Sequence, residues 1–198
     1  MQSALSSPSG LAHGSTSFQK TLTGRIILAV AATGLVAVCA HISLPLPFTP
    51  VPLTLQTFAV ILVGMTLGPA AGFSAMVLYL VQGAMGLPVF TPHGPGGIAQ
   101  LMGPTAGFLF SYPLAAASAG WVVRVPSNRA SRFRQAVVAG CVTSVIILIL
   151  GAGWLASLLH LNASAAWHLA VAPFLPGEAI KVTAAAGIYS TFERWRRS

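Results

Sequence analysis

AVVAGCVTSVIILILGAGWLASL, residues 136–158, runs for 23 positions without an Asp, Glu, Lys or Arg. At 1.5 Å per residue a helix of that length extends about 34 Å, enough to cross the roughly 30 Å hydrocarbon layer of a bilayer. It is not alone. Further helices fit at 26–42, 53–67, 70–87, 104–123 and 170–192, the second of them short because Pro50 and Pro52 precede it and Gly68 and Pro69 follow it. The 198 residues are 55% hydrophobic and only 6% charged, where a soluble domain carries about 25% charged residues. The expected fold class is therefore an all-α membrane protein, a single bundle of six transmembrane helices.

Charge placement orients that bundle. Lys20 and Arg25 precede the first helix, Arg124 to Arg134 follow the fourth, and Arg194 to Arg197 follow the last. Basic residues in short loops stay cytoplasmic, so an even number of spans must separate each group from the next, and four then two satisfies the rule. Both termini are expected in the cytoplasm. Loops 43–52, 88–103 and 159–169, which carry no Lys, Arg, Asp or Glu, then lie outside. The net charge of +8 thus reads as an orientation signal, and nucleic acid is not an expected partner. Residues 1–19, rich in Ser and Gly, form an expected disordered tail, and residues 20–198 form the membrane domain. The run after Lys20 and Arg25 resembles a secretory signal, with Val38, Cys39 and Ala40 at its end, yet the spans that follow favour a retained first helix.

PFLPGEAIK, residues 173–181, holds Glu178, one of two acidic residues in the chain, three positions before Lys181. An ionisable side chain well inside a bilayer costs about 2.5–3.5 kcal/mol on insertion scales, so it normally faces a protein interior or cavity. The plainer alternative is a Glu that complements the helix dipole beside a Lys that snorkels outward. Loop 88–103, PVFTPHGPGGIAQLMG, is a second candidate: Gly94, Gly96 and Gly97 permit tight backbone approach, which suits a lid over a cavity as well as a surface turn. Gln56 and Gln82 are amides in apolar surroundings that could line such a cavity or bond between helices. Phe48, Phe90, Tyr112 and Trp167 are candidate apolar walls or interfacial anchors.

Other features bound the function. Ala29, Thr33 and Ala37 recur at four-residue spacing on the first helix, a small-residue row that fits internal packing or a docking face for another membrane subunit. Cys39 and Cys141 have neither metal-ligand nor redox spacing. No G-x-x-x-x-G-K-[ST], H-E-x-x-H or G-x-S-x-G pattern occurs, and His41, His93, His160 and His168 fall at helix ends or in loops. An ATPase or hydrolase site is not expected, nor a cofactor.

Four runs carry a family resemblance: ISLPLPFTPVPLTLQTFAV at 42–60, GPAAGFSAMVLYLVQGAMGLPVF at 68–90, GPTAGFLFSY at 103–112, and PFLPGEAIK at 173–181. In this order they resemble the BioY family over residues 26 to 191. BioY proteins are the biotin-binding S components of energy-coupling factor (ECF) vitamin transporters. The resemblance implies six helices, a biotin pocket facing outward, and a lid from the loops after helices one and three. It also implies partners, a transmembrane coupling protein and cytoplasmic ATPase subunits, and a multi-pass location in the bacterial inner (plasma) membrane. The final motif in the family usually has Asp where this chain has Glu178, followed by the Lys that matches Lys181, and both contact biotin. The family's helix-three amide has Gln82 as its candidate, and GPTAGF stands where GPTGGY is commoner, so Phe108 lacks a polar group. Gln56, Phe48, Phe90, Gly96 and Gly97 complete the expected binding set. A self-sufficient metabolite carrier and a ligand-free membrane scaffold are the competing readings.

Overall fold

The computed structural model describes residues 21–126 and 131–196. The expected tail over residues 1–19 lies outside them, as do Lys20, Arg129 and Arg197.

Helix α1, Leu22–His41, starts at Thr21, whose side chain accepts a hydrogen bond from the Gly24 N–H at 3.1 Å. At its far end the chain enters a two-residue antiparallel ladder, β1 (Ser43–Leu44) with β2 (Leu53–Thr54), pairing Ser43 with Thr54 and Leu44 with Leu53. Four prolines, at positions 45, 47, 50 and 52, occupy the intervening loop and remove the donors that a helix or longer strand would need. Residues 53–55, expected in the second helix, are held here instead: the Leu55 N–H bonds to the Ile42 carbonyl at 3.1 Å.

Helix α2, Gln56–Leu67, is 12 residues long, roughly 18 Å, shorter than the roughly 30 Å hydrocarbon layer of a bilayer. Gly68 ends it with φ of +93°, a conformation that side chains disfavour, and α3 begins directly at Pro69 and runs to Ala84. The one-turn α4 (Gly97–Gln100) lies inside the loop after α3. Helix α5 spans Ala106–Val122 and α6 spans Arg132–Leu159, the latter capped at its start by the Ser131 hydroxyl. Helix α7 (Ala163–Ala170), capped by Asn162, meets α8 (Leu175–Trp195) at a bend of 51°. Pro173 sits in that break and disfavours helical dihedrals in the residue before it, while Pro176 falls in the first turn of α8, where its missing N–H costs nothing. The helix expected over 170–192 is α8, and α7 occupies most of the expected outer loop 159–169. Among the described residues there are eight helices where six were expected, α4 and α7 being the additions.

Short as it is, α2 packs against α1, α3, α5, α6 and α8. A helix enclosed on every side has no polar face, and eight of its residues are buried, among them Gln56, Thr57, Ala59, Val60 and Ile61. Small residues allow the enclosure. A Cβ on Gly64 would strike the Ala116 carbonyl of α5, and one on Gly120 would lie 2.5 Å from the Gly68 carbonyl carbon.

The outer surface inverts the usual pattern. Along α6 the inward stripe is Ala136, Ala139, Gly140, Thr143, Ser144, Ile147 and Gly151, while Val138, Val145 and Ile149 are exposed. Small and polar inside with large and apolar outside is the packing of helices in lipid, where burying apolar surface gains nothing and close backbone approach does. Helices α1 and α6 are each long and apolar enough to cross a membrane, the bent pair α7–α8 passes the same test, and α2 and α3 are shorter apolar helices.

If the α2–α5 contact is as tight as the geometry implies, Gly64→Ala overpacks it, costing about 1–3 kcal/mol. At Gly153 nothing lies within 4 Å of an added Cβ, so Gly153→Ala is neutral or slightly stabilising. Thermal unfolding in detergent measures the contrast, with the Gly64 variant melting at least about 3 °C lower.

Candidate functional site

The first two turns of α8 carry Glu178 and Lys181 into the bundle, each only 6% exposed. The helical spacing of three residues stacks them on one face, and Lys181 Nζ lies 2.7 Å from Glu178 Oε1. Two other helices complete the charge cluster. Thr57, in the first turn of α2, donates its hydroxyl to Glu178 Oε1 at 2.8 Å and accepts from Lys181 Nζ at 2.8 Å. Ser144, midway along α6, donates to Glu178 Oε2 at 2.7 Å. Each carboxylate oxygen therefore has a donor, while the three-donor ammonium spends two N–H groups on protein. The remaining one is free for a ligand.

This cluster forms one end of a cavity with about 530 Å³ of space between atoms, partly open to solvent. The walls are mostly apolar: Val51, Phe90, Phe108, Leu109, Tyr112, Ile147, Leu148 and Phe174. Phe108 packs on Gly151 of α6 and lies 6.3 Å, centroid to centroid, from Phe174. The position without a polar group thus serves as hydrocarbon wall. Apolar walls with a few convergent polar groups are the general make-up of a small-molecule pocket.

Two polar atoms at the loop side of the cavity have no partner. Gln100 Nε2 donates to Thr105 Oγ1 at 2.6 Å, which fixes the amide plane and leaves Gln100 Oε1 buried and unbonded. Thr91 Oγ1 is likewise buried without a partner. Both residues line the cavity. Buried polar atoms left unpaired cost about 1–3 kcal/mol each, a deficit that a polar ligand would remove.

Of the expected residues, Glu178, Lys181, Gln56 and Phe90 come together at the cavity, and Gln82, Phe48, Gly96 and Gly97 are not among its lining. Gln82 Oε1 is buried without a partner elsewhere. Tyr79, three residues earlier on α3, takes the bridging position: it receives the Gln56 amide at 2.8 Å and donates to the Val89 carbonyl at 2.7 Å, tying α2 to the loop after α3. Phe48 is 56% exposed, on the proline-rich loop. Gly96 and Gly97 adopt φ of +68° and +58° and turn the chain into α4, whose last residue is Gln100. They act through that turn. Gln100, Thr91, Thr57 and Ser144 are the residues sequence reasoning left out. Gln100 stood in the quoted glycine loop as a lone amide after an apolar pair, and that was its signal.

In the row Ala29, Thr33 and Ala37, only Thr33 is fully buried, and Ala29 also lines an open groove beside the start of α1. Thr33 is 2% exposed with its hydroxyl on the Val30 carbonyl, and both alanines pack on the main core. Among the described residues no three His, Cys, Asp or Glu side chains form a metal-binding group.

A membrane-type helical bundle enclosing a cavity with polar groups at two sides defines a membrane-embedded protein built to hold a small molecule. The chain belongs to the BioY family, whose model matches residues 11–198. The biotin transporter BioY of Rhodobacter capsulatus is 35% identical over 188 residues, covering 90% of this chain and 94% of that protein. The biotin transporter BioY of Thermotoga maritima is 37% identical over 154 residues, covering 78% and 86%. The crystal structure of an S-component for biotin from an ECF-type ABC transporter superposes with a TM-score of 0.77 at 21% identity, over 87% of this chain and 92% of that one. At that identity the likeness establishes a shared fold.

Removing a donor from the buried carboxylate tests the cluster without touching charge. Ser144→Ala leaves Glu178 Oε2 short of its hydrogen bond and costs about 1–3 kcal/mol, read as a Tm lowered by at least about 3 °C in detergent. Thr57→Ser, which keeps the hydroxyl, stays near the parent value.

Proposed function

We propose that this chain captures biotin as the S component of an ECF transporter, holding it in the cavity between the Glu178–Lys181 cluster and Gln100. The observation that carries the reading is the buried cluster itself, a paired acid and amine facing a mostly apolar cavity in a chain of the BioY family. Biotin offers complementary chemistry. Its ureido ring has two N–H donors and a carbonyl acceptor, its valeryl chain ends in a carboxylate, and its thiophane ring and alkyl chain suit the walls of Phe90, Phe108 and Phe174. Glu178 keeps the acceptor of the family's usual Asp on a side chain one methylene longer, and Ser144 and Thr57 support it there.

The six spans of this reading are α1, α2, α3, α5, α6 and the bent α7–α8 pair, with both termini cytoplasmic and the cavity opening outward. The loops after α1 and α3 form the lid, and both contribute lining residues, Val51 and Thr54 from one, Phe90, Thr91 and Gln100 from the other. Reorientation across the plasma membrane is driven by a transmembrane coupling protein and cytoplasmic ATPase subunits, since the chain has no phosphate-binding loop of its own.

Titrating biotin against the detergent-solubilised chain, with an unrelated vitamin as control, tests the proposal. Lys181→Ala weakens binding at least about tenfold, or 1.4 kcal/mol. Unchanged affinity in a folded variant rejects that role. Gln100→Ala weakens it by a smaller factor, roughly fivefold, as for one neutral hydrogen bond of about 1 kcal/mol.

A further inference from the structure

At the end of the bundle away from the cavity, about 27 Å further along α8 by helical rise, three arginines distant in sequence converge on one groove. Arg25 comes from the start of α1, Arg124 from just beyond α5 and Arg196 from the end of α8. The groove has a volume of about 1610 Å³ including its open side, and its floor is apolar, with Leu28, Leu67 and Ala70. Arg124 is held in place. Its Nη1 donates to the Gly120 carbonyl at 3.0 Å, and its guanidinium lies against Gly68, where a Cβ would collide with it. Arg25 and Arg196 have no side-chain hydrogen bond or ion pair among the described residues. Neither of the chain's two acidic residues, Glu178 and Glu193, lines the groove, and Glu178 is committed to Lys181 at the other end. Three cations around one hollow repel each other unless an anion neutralises them, and among the described residues no acidic side chain lines the groove.

We propose that this groove is a binding site for an anionic phospholipid, its phosphate bridged by Arg25, Arg124 and Arg196 and an acyl chain laid on the floor. A soluble anion would answer the charge and leave the apolar floor exposed. A lipid of the surrounding membrane answers both, and guanidinium forks bind phosphate with charge-assisted paired hydrogen bonds. The site is independent of the biotin reading, because it shares no residue with the cavity.

The test uses the full chain, purified and delipidated in neutral detergent. Phosphatidylglycerol raises its Tm by about 5 °C or more, while phosphatidylcholine and free glycerol phosphate leave it within about 1 °C. In the double variant Arg25→Gln and Arg196→Gln the phosphatidylglycerol shift falls by at least half, with biotin affinity unchanged. Equal shifts from both phospholipids, or a shift undiminished in the variant, would overturn the site. So would a full response to glycerol phosphate, which would assign a phosphate site without a lipid. A parent chain indifferent to phosphatidylglycerol, whose double variant no longer co-purifies with energising subunits, would assign the groove to a protein partner instead.

Discussion

The ion pair between Glu178 and Lys181 is the constraint from which the rest of the structure can be understood. In a membrane interior neither charge can be left alone, since breaking a buried pair by removing one partner costs about 3–5 kcal/mol. Their mutual contact is local to α8, but it satisfies only part of the carboxylate. Thr57 and Ser144 supply the rest, so α2, α6 and α8 must meet at one point with side-chain oxygens within hydrogen-bonding distance. That meeting sets where the cavity begins.

The short helix α2 makes the meeting possible. It is surrounded by five helices, and glycines at 64, 72 and 120 let its backbone and that of α3 and α5 approach closely. Its first turn is anchored from outside by the β1–β2 ladder and by Gln56, which bonds to Tyr79. The same tyrosine holds the loop after α3. A chain of hydrogen bonds thus runs from Thr54 through Gln56 and Tyr79 to Val89, connecting the two loops that roof the cavity with the helix that floors it. Thr91 and Gln100, from the loop after α3, line the cavity with buried oxygens left unpaired.

Much of this was legible in the residues. The apolar run at 136–158 and the scarcity of charge settle the helical membrane class, and the four quoted motifs place the chain in its family. Glu178 and Lys181 stand out because ionisable residues are so rare in the chain. Less legible were the breaks: Pro173 lies in an apolar run that reads as one helix, yet the chain bends there by 51°. Gln82 was the candidate because amides are conspicuous in apolar helices, and Tyr79 was not singled out. Residues three apart share one helix face, so which of them reaches a partner depends on how α3 is placed along its neighbours, and no local pattern encodes that placement.

By itself, then, the sequence determined the solvent, the helical class, the family and the two charges that must be buried together, because those follow from composition, length and short-range spacing. Tertiary structure alone decided which hydroxyls satisfy the carboxylate, that Thr33 on α1 packs inward, and that Gln100 reaches the cavity while Gln82 and Phe48 do not. Each of these joins residues from separate helices or loops, and the distances between them are set by how closely backbones pack.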